Sequence, residues 1–139
     1  MSFVLDSSVA LSWCFKDEQT LETLLALEMA RTRAIFVPSF WHVEIANVLG
    51  IAARKGRVTE ADLTIAIRTL DALEIRTDTA RPLIGPSILI PLMQTYELTA
   101  YDATYLELAM RLNLPLATLD RKLISAAKQA GLHVVGVSP

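Results

Sequence analysis

Short apolar, strand-forming runs recur along the chain, and the stretches between them carry helical spacing. Phe3 to Leu5, Ile35-Phe36-Val37, Glu74-Ile75-Arg76, Leu114 to Thr118 and Leu132 to Val135 read as strands. Val9 to Phe15 reads as a helix, as does Glu18 to Arg33, with Leu21, Leu24, Leu25 and Leu27 on or near its apolar side. Further helices are expected over Phe40 to Arg54, Thr59 to Leu73, Thr99 to Leu112 and Asp120 to Ala130. Strands separated by helices imply parallel pairing through crossover connections. The fold class is therefore α/β, with helices on both faces of a parallel sheet. In such sheets chemistry gathers at the carboxyl ends of the strands, near the point where strand order reverses.

Local signals set the expected boundaries. Pro38 stops the second strand, Ser39 is a candidate cap for the following helix, and Lys55-Gly56 closes it. Thr59-Glu60-Ala61-Asp62 is close to a capping box. Between Arg81 and Tyr96 the helical pattern is interrupted by Pro82, Pro86 and Pro91, and Pro91 is expected to kink or break any helix through it. The 139 residues suit one domain, residues 1–139.

Composition narrows the function. With 53% hydrophobic and 20% charged residues, the chain can bury enough apolar surface to offset its ordering entropy, which excludes a disordered segment. No apolar run approaches the roughly 18 to 20 residues of a membrane span, and Met1 to Asp6 lacks a basic segment and meets a charge too early for a signal peptide. A cytoplasmic protein with no membrane role is expected. The single cysteine, Cys14, excludes an internal disulfide and reads as a small buried hydrophobe. Net charge is −2, so a nucleic-acid role would have to rest on local basic groups or on metal ions. The local groups are Arg31, Arg33, Arg54-Lys55-Gly56-Arg57 and Arg121-Lys122, each of which also fits a solvated helix end. Trp13 and Trp41 read as core or interface residues rather than base-stacking platforms, His133 as structural, and His42 is turned about 160° from Glu44 on a helix, against a shared metal.

Four of the 15 acidic residues sit in unusual company. Asp6 closes the first strand, and Asp120 closely follows the strand Leu114 to Thr118, so both lie at carboxyl ends. Glu44 stands about 60° from Trp41 and about 40° from Val48 on a helical wheel, inside the margin of the stripe formed by Trp41, Ile45, Val48 and Ala52. Asp102 also points inward, its face continued by Leu106, Ala109 and Asn113, whereas Glu107 points away. Each acid has a structural explanation: Asp6 and Asp120 as helix caps, Asp102 as the last member of a capping box after Thr99, Glu44 as a side chain reaching for solvent. Their convergence would have a different meaning. Two carboxylates about 4 Å apart repel by about 4 kcal/mol at an effective dielectric near 20. Such a cluster either binds protons or holds a hard divalent cation such as Mg²⁺ or Mn²⁺, which can activate water against a phosphodiester.

The phrases F-V-L-D-S-S, V-E-I-A-N-V-L, T-A-Y-D-A-T-Y-L-E-L-A and A-T-L-D-R-K-L together resemble the PIN-domain ribonucleases, and more narrowly the VapC-type toxins of toxin–antitoxin pairs. The resemblance covers nearly the whole chain, with all four acids in order. It implies a PIN-like three-layer α/β/α sandwich around a parallel sheet. It also implies a Mg²⁺- or Mn²⁺-dependent endoribonuclease whose catalytic and metal-binding residues are Asp6, Glu44, Asp102 and Asp120. By the same analogy Asp6 and Asp102 are the direct ligands, Glu44 and Asp120 ligate directly or through water, and the Ser7 and Thr118 hydroxyls support the acids. Arg121 and Lys122 would contact RNA. An antitoxin partner and a homodimer are implied as well. The departure is the proline-interrupted region of residues 81–96.

Other α/β readings fit less well. A haloacid-dehalogenase-like phosphatase wants a second aspartate where Ser8 stands, a response-regulator receiver wants paired acids after its first strand, and no phosphate-binding glycine loop occurs. The remaining alternatives are a non-toxin PIN nuclease of RNA processing and a small non-catalytic protein-binding module whose acids only cap helices.

Overall fold

The computed structural model describes residues 1–80 and 84–136. Its sheet has four parallel strands: β1 (Phe3–Leu5), β2 (Ile35–Val37), β3 (Ile75–Thr77) and β4 (Leu116–Ala117), in the order β3-β2-β1-β4. Phe3, Val4 and Leu5 have no solvent exposure, although alternate strand residues face opposite sides of a sheet. The central strand is therefore covered on both faces, which makes the molecule a three-layer α/β/α sandwich. From β1 the chain builds outward through β2 and β3, then returns to place β4 on the other side of β1. The strand order reverses between β1 and β4, and Asp6 and Thr118 leave the sheet at that point.

The helices are α1 (Ser7–Ser12), α2 (Leu21–Ala30), α3 (Phe40–Arg54), α4 (Glu60–Asp71), α5 (Pro86–Tyr96), α6 (Ala100–Leu112) and α7 (Arg121–Gln129). Helix α1 starts at Ser7, before the expected Val9, because extended Asp6 passes directly from β1 into the first turn and its carbonyl accepts from Val9 N–H. A 3₁₀ turn, Lys16–Glu18, precedes α2, which Thr20 and Thr23 open as a reciprocal capping pair. The leucine face expected for this helix is not its core face. Leu21, Leu24 and Leu25 are 71%, 40% and 52% exposed, and the buried stripe is Thr23, Ala26, Leu27 and Ala30. Small residues there let α2 approach α1 closely, and the Trp13 indole donates to Thr23 O at 2.6 Å.

Four other expectations are corrected. Ser39 does not cap α3: it is already helical, makes no capping bond, and Pro38 O accepts from Trp41 N–H. Pro91 does not break α5, which runs through it with Pro86 in its first turn; Pro82 lies outside the described residues. The final strand shrinks to a single bridge between Leu116 and Val134, after which Gly136 adopts φ +79°. Strand β4 is itself shorter than expected, because Pro115 has no N–H to give and contributes only its carbonyl, to Val4 N–H. The capping box of Thr59 with Asp62 opens α4 as expected, although α4 ends at Asp71, and Thr99 opens α6. No helix among the described residues is long and apolar enough to cross a membrane.

Candidate active site

Asp6 is 6% exposed at the end of β1. Two hydroxyls, Ser8 Oγ and Thr118 Oγ1, donate to the same oxygen, Asp6 Oδ2, each at 2.7 Å. Each hydroxyl also accepts from the loop after β4: Leu119 N–H donates to Ser8 Oγ at 3.0 Å and Asp120 N–H to Thr118 Oγ1 at 3.1 Å. The pair ties the ends of β1 and β4 together and fixes one carboxylate oxygen. Among the described residues no side chain hydrogen-bonds Asp6 Oδ1. Burial raises the Asp6 carboxyl, the two hydroxyls pull it down, and the Asp120 charge raises it again.

Glu44 comes from the second turn of α3 and is half-buried. The phenol of Tyr105 donates to Glu44 Oε1 at 2.7 Å, and Ser7 N–H points at the same phenolic oxygen at 3.4 Å. Burial raises the Glu44 carboxyl, the Tyr105 hydrogen bond lowers it, the Asp6 charge raises it, and the Ser7 hydroxyl lowers it slightly. Of the two hydroxyls expected to support the acids, Thr118 reaches Asp6, and Ser7 bears on Glu44 instead.

Asp102 lies in the first turn of α6, half-buried. Its carboxyl is pushed up to about 6 by burial and then by the charges of Asp120, Asp6 and Glu44. Leu106 and Ala109 continue its buried face, but Asn113 does not: it ends the helix in the left-handed region and is exposed. Glu107 lies apart from this cluster, held by Arg111, which also binds Asp78 at 2.7 Å. Asp120 caps α7, its Oδ1 accepting from Leu123 N–H at 2.9 Å. Arg121 and Lys122 follow it, both exposed on the first turn of α7.

The four acids thus reach one edge from four elements: the Asp120 charge is felt by Asp6, that of Asp6 by Glu44, and those of Asp120, Asp6 and Glu44 by Asp102. Capping accounts for Asp120 alone. Asp6 makes no side-chain capping bond, and the Asp102 carboxylate does not complete a box with Thr99, which instead accepts from Asp102 N–H. The donor set is entirely carboxylate and hydroxyl oxygen, which suits a hard cation. Among the described residues no three acids, histidines or cysteines stand close enough to enclose an ion. A cation such as Mg²⁺ takes only one or two carboxylates directly and keeps several waters, so the donor set fits it without a closed cage.

Tyr105 and Ser8 are the site residues that the sequence reading missed. Tyr105 lies within the phrase Y-D-A-T-Y, but its partner Glu44 is 61 residues away, and no local signal links them. His42 Nε2 lies 2.9 Å from Thr77 Oγ1, and both tryptophans are buried.

A protein-family model described as "PIN domain" matches residues 3–129. Ribonuclease VapC9 of Mycobacterium tuberculosis is 32% identical over 120 residues, 86% of this chain and 87% of that protein. Among solved structures, PAE2754 from Pyrobaculum aerophilum has a TM-score of 0.68 at 22% identity, covering 97% of this chain and 84% of the other. VapBC2 from Rickettsia felis, solved bound to a DNA fragment from its promoter, has a TM-score of 0.66 at 18% identity, covering 96% and 97%.

Proposed function

Because the chain belongs to the PIN-domain family, we propose that it is a Mg²⁺- or Mn²⁺-dependent endoribonuclease, the toxin of a toxin–antitoxin pair. The observation that carries this reading is the set of four carboxylates gathered at the β1–β4 switch point, three of them raised by burial and by neighbouring acids and without a side-chain capping bond. Asp6 and Asp102 would hold the metal directly, and Glu44 and Asp120 directly or through water. Bound there, the ion would supply a Lewis acid for the scissile phosphate and lower the pKa of a water.

The chain's own residues prepare that centre. Ser8 and Thr118 immobilise Asp6 Oδ2. Tyr105 does the same for Glu44 through Oε1. Asp120 is held by its bond to Leu123 N–H, so its position follows that of α7. Arg121 and Lys122 offer positive charge beside an otherwise acidic edge and suit the RNA backbone. Hydrolysis would leave 5′-phosphate and 3′-hydroxyl ends. The partners in this reading are an RNA substrate, a cognate antitoxin and a second copy of the chain, with the cytoplasm as the place of action.

The test is incubation of the purified protein with a mixed RNA pool, with Mg²⁺, with Mn²⁺ and with EDTA, beside Asp102→Asn. Metal-dependent cleavage that the folded variant lacks is the expected result. A folded, antitoxin-free protein that cleaves nothing under any metal would overturn the catalytic reading in favour of a non-catalytic binding module.

A further inference from the structure

The chain has nine aromatic residues, four Phe, two Trp and three Tyr, all among the described residues. Eight are buried or half-buried, including both tryptophans and the phenol that holds Glu44. Tyr101 alone is exposed, at 62%. An exposed tyrosine surrenders little apolar burial by itself, but its position is notable: it immediately precedes Asp102 in the first turn of α6. The exposed aromatic ring of the molecule therefore stands at the rim of the acidic edge.

The ring is also supported. Phe40, in the first turn of α3, meets Tyr101 edge to face, with centroids 5.3 Å apart and planes at 85°. Phe40 meets Tyr105 in the same way at 5.5 Å and 85°. Three rings thus run from solvent to the phenol that positions Glu44. Edge-to-face pairing fixes the inclination of the Tyr101 ring and leaves most of its area open to solvent. A pre-oriented aromatic surface beside a phosphodiester site is what an unstacked base needs, because every nucleobase presents a π face.

The geometry points to Tyr101 as a stacking platform for one unpaired nucleobase, which seats single-stranded RNA with its backbone over the Asp6–Glu44–Asp102–Asp120 edge. This assignment rests on the ribonuclease reading above. It makes Tyr101 a substrate-binding residue and Phe40 the residue that positions it. Because stacking is tolerant of base identity, the platform favours an unpaired nucleotide over a paired one and confers little sequence preference.

The experiment is steady-state cleavage of a single-stranded RNA by the full chain, by Tyr101→Leu and by Tyr101→Phe, after thermal melts establish that all are folded. The substrate is then replaced by versions with one abasic nucleotide at each position around the cleaved bond. Tyr101→Leu is expected to raise KM by about 5- to 150-fold, the usual worth of one stacked base, and to change kcat less. Tyr101→Phe should recover most of the KM, since the ring and not the hydroxyl is used. At one position the abasic nucleotide should cost the full chain a similar factor and cost Tyr101→Leu nothing further, the signature of two partners in one contact. Equal KM for Tyr101→Leu and the full chain would overturn the platform, as would abasic losses that multiply with the variant's at every position. Unchanged kinetics with an altered oligomeric state would overturn it in favour of a protein interface. Absence of cleavage by the unmodified chain would instead remove the ribonuclease reading itself, so the two failures are distinguishable.

Discussion

Replacing Asp102 by asparagine separates a carboxylate that caps or packs from one held against repulsion. The Asp102 carboxyl is raised to about 6 from an ordinary 3.8, first by burial and then by three neighbouring acids. In the unfolded chain the group loses its proton near pH 4; in the folded chain it keeps it until about pH 6. The folded state therefore binds more protons between those values, and stability falls as pH rises through that window and stays low above it. A shift of about two units corresponds to at most about 3 kcal/mol. Asp102 is only half-buried, and solvent screening reduces this to about 1 kcal/mol. Asn is nearly the same size, cannot ionise, and leaves the bond from the backbone N–H of residue 102 to Thr99 Oγ1 in place. In metal-free buffer at pH 7.5, Asp102→Asn should raise Tm by about 4 °C. The gain should fade as pH falls towards 4, and RNA cleavage should be lost at every pH. Thermal melts across that range, paired with cleavage assays, measure both. A lower Tm for the variant at pH 7.5, or the same gain at pH 4 and 7.5, would refute the electrostatic argument.

Mg²⁺ or Mn²⁺ at ten times its Kd should stabilise the native chain by about 1.4 kcal/mol, and Asp102→Asn by much less, as read by melts with and without EDTA. Tyr105→Phe leaves Glu44 Oε1 without its donor, so urea unfolding should show a loss of about 1 kcal/mol and cleavage should fall without vanishing. Thr118→Val removes one of the two hydroxyls that lower the Asp6 carboxyl, which should then titrate at higher pH in a carboxyl NMR titration. Arg111→Met strands Asp78 and Glu107, whose side chains are only 11% and 12% exposed, and should cost about 2 kcal/mol in urea unfolding, with part of the loss recovered when Asp78→Asn is added.

What could be read from the residues alone was whatever depended on short range. The strands β1 and β2 announce themselves by three apolar residues ended by Asp6 or Pro38, and the Thr59–Asp62 box lies within one turn. Positions of the four acids at strand ends and helix flanks were legible for the same reason. Features set by distant partners were not. The leucines of α2 follow a helical spacing as good as that of Thr23, Ala26, Leu27 and Ala30, and the approach of α1 and of the chain after β4 decides which face is buried. Pro91 fits its helix because the ring is exposed and one lost backbone bond is tolerable there. The last strand lost its ladder to a single bridge because Gly136 turns the chain away. Ser8 and Tyr105 gain their meaning from residues 111 and 61 positions away in the sequence.

The pairing of β1 with β4 also sets an order in time. The hydroxyl of Thr118 and the carboxylate of Asp6 meet across 112 residues, and β1 can form its contacts with β2 long before β4 exists. Contacts so distant in sequence close slowly and late. Ribosomal synthesis delivers Asp6 and Glu44 well ahead of Asp120, and until β4 is made one flank of β1 has no strand to pair with. The acidic edge is complete only once β4 and the residues after it are in place, and a chain ending before Thr118 would lack Asp120 and one of the two hydroxyls that hold Asp6.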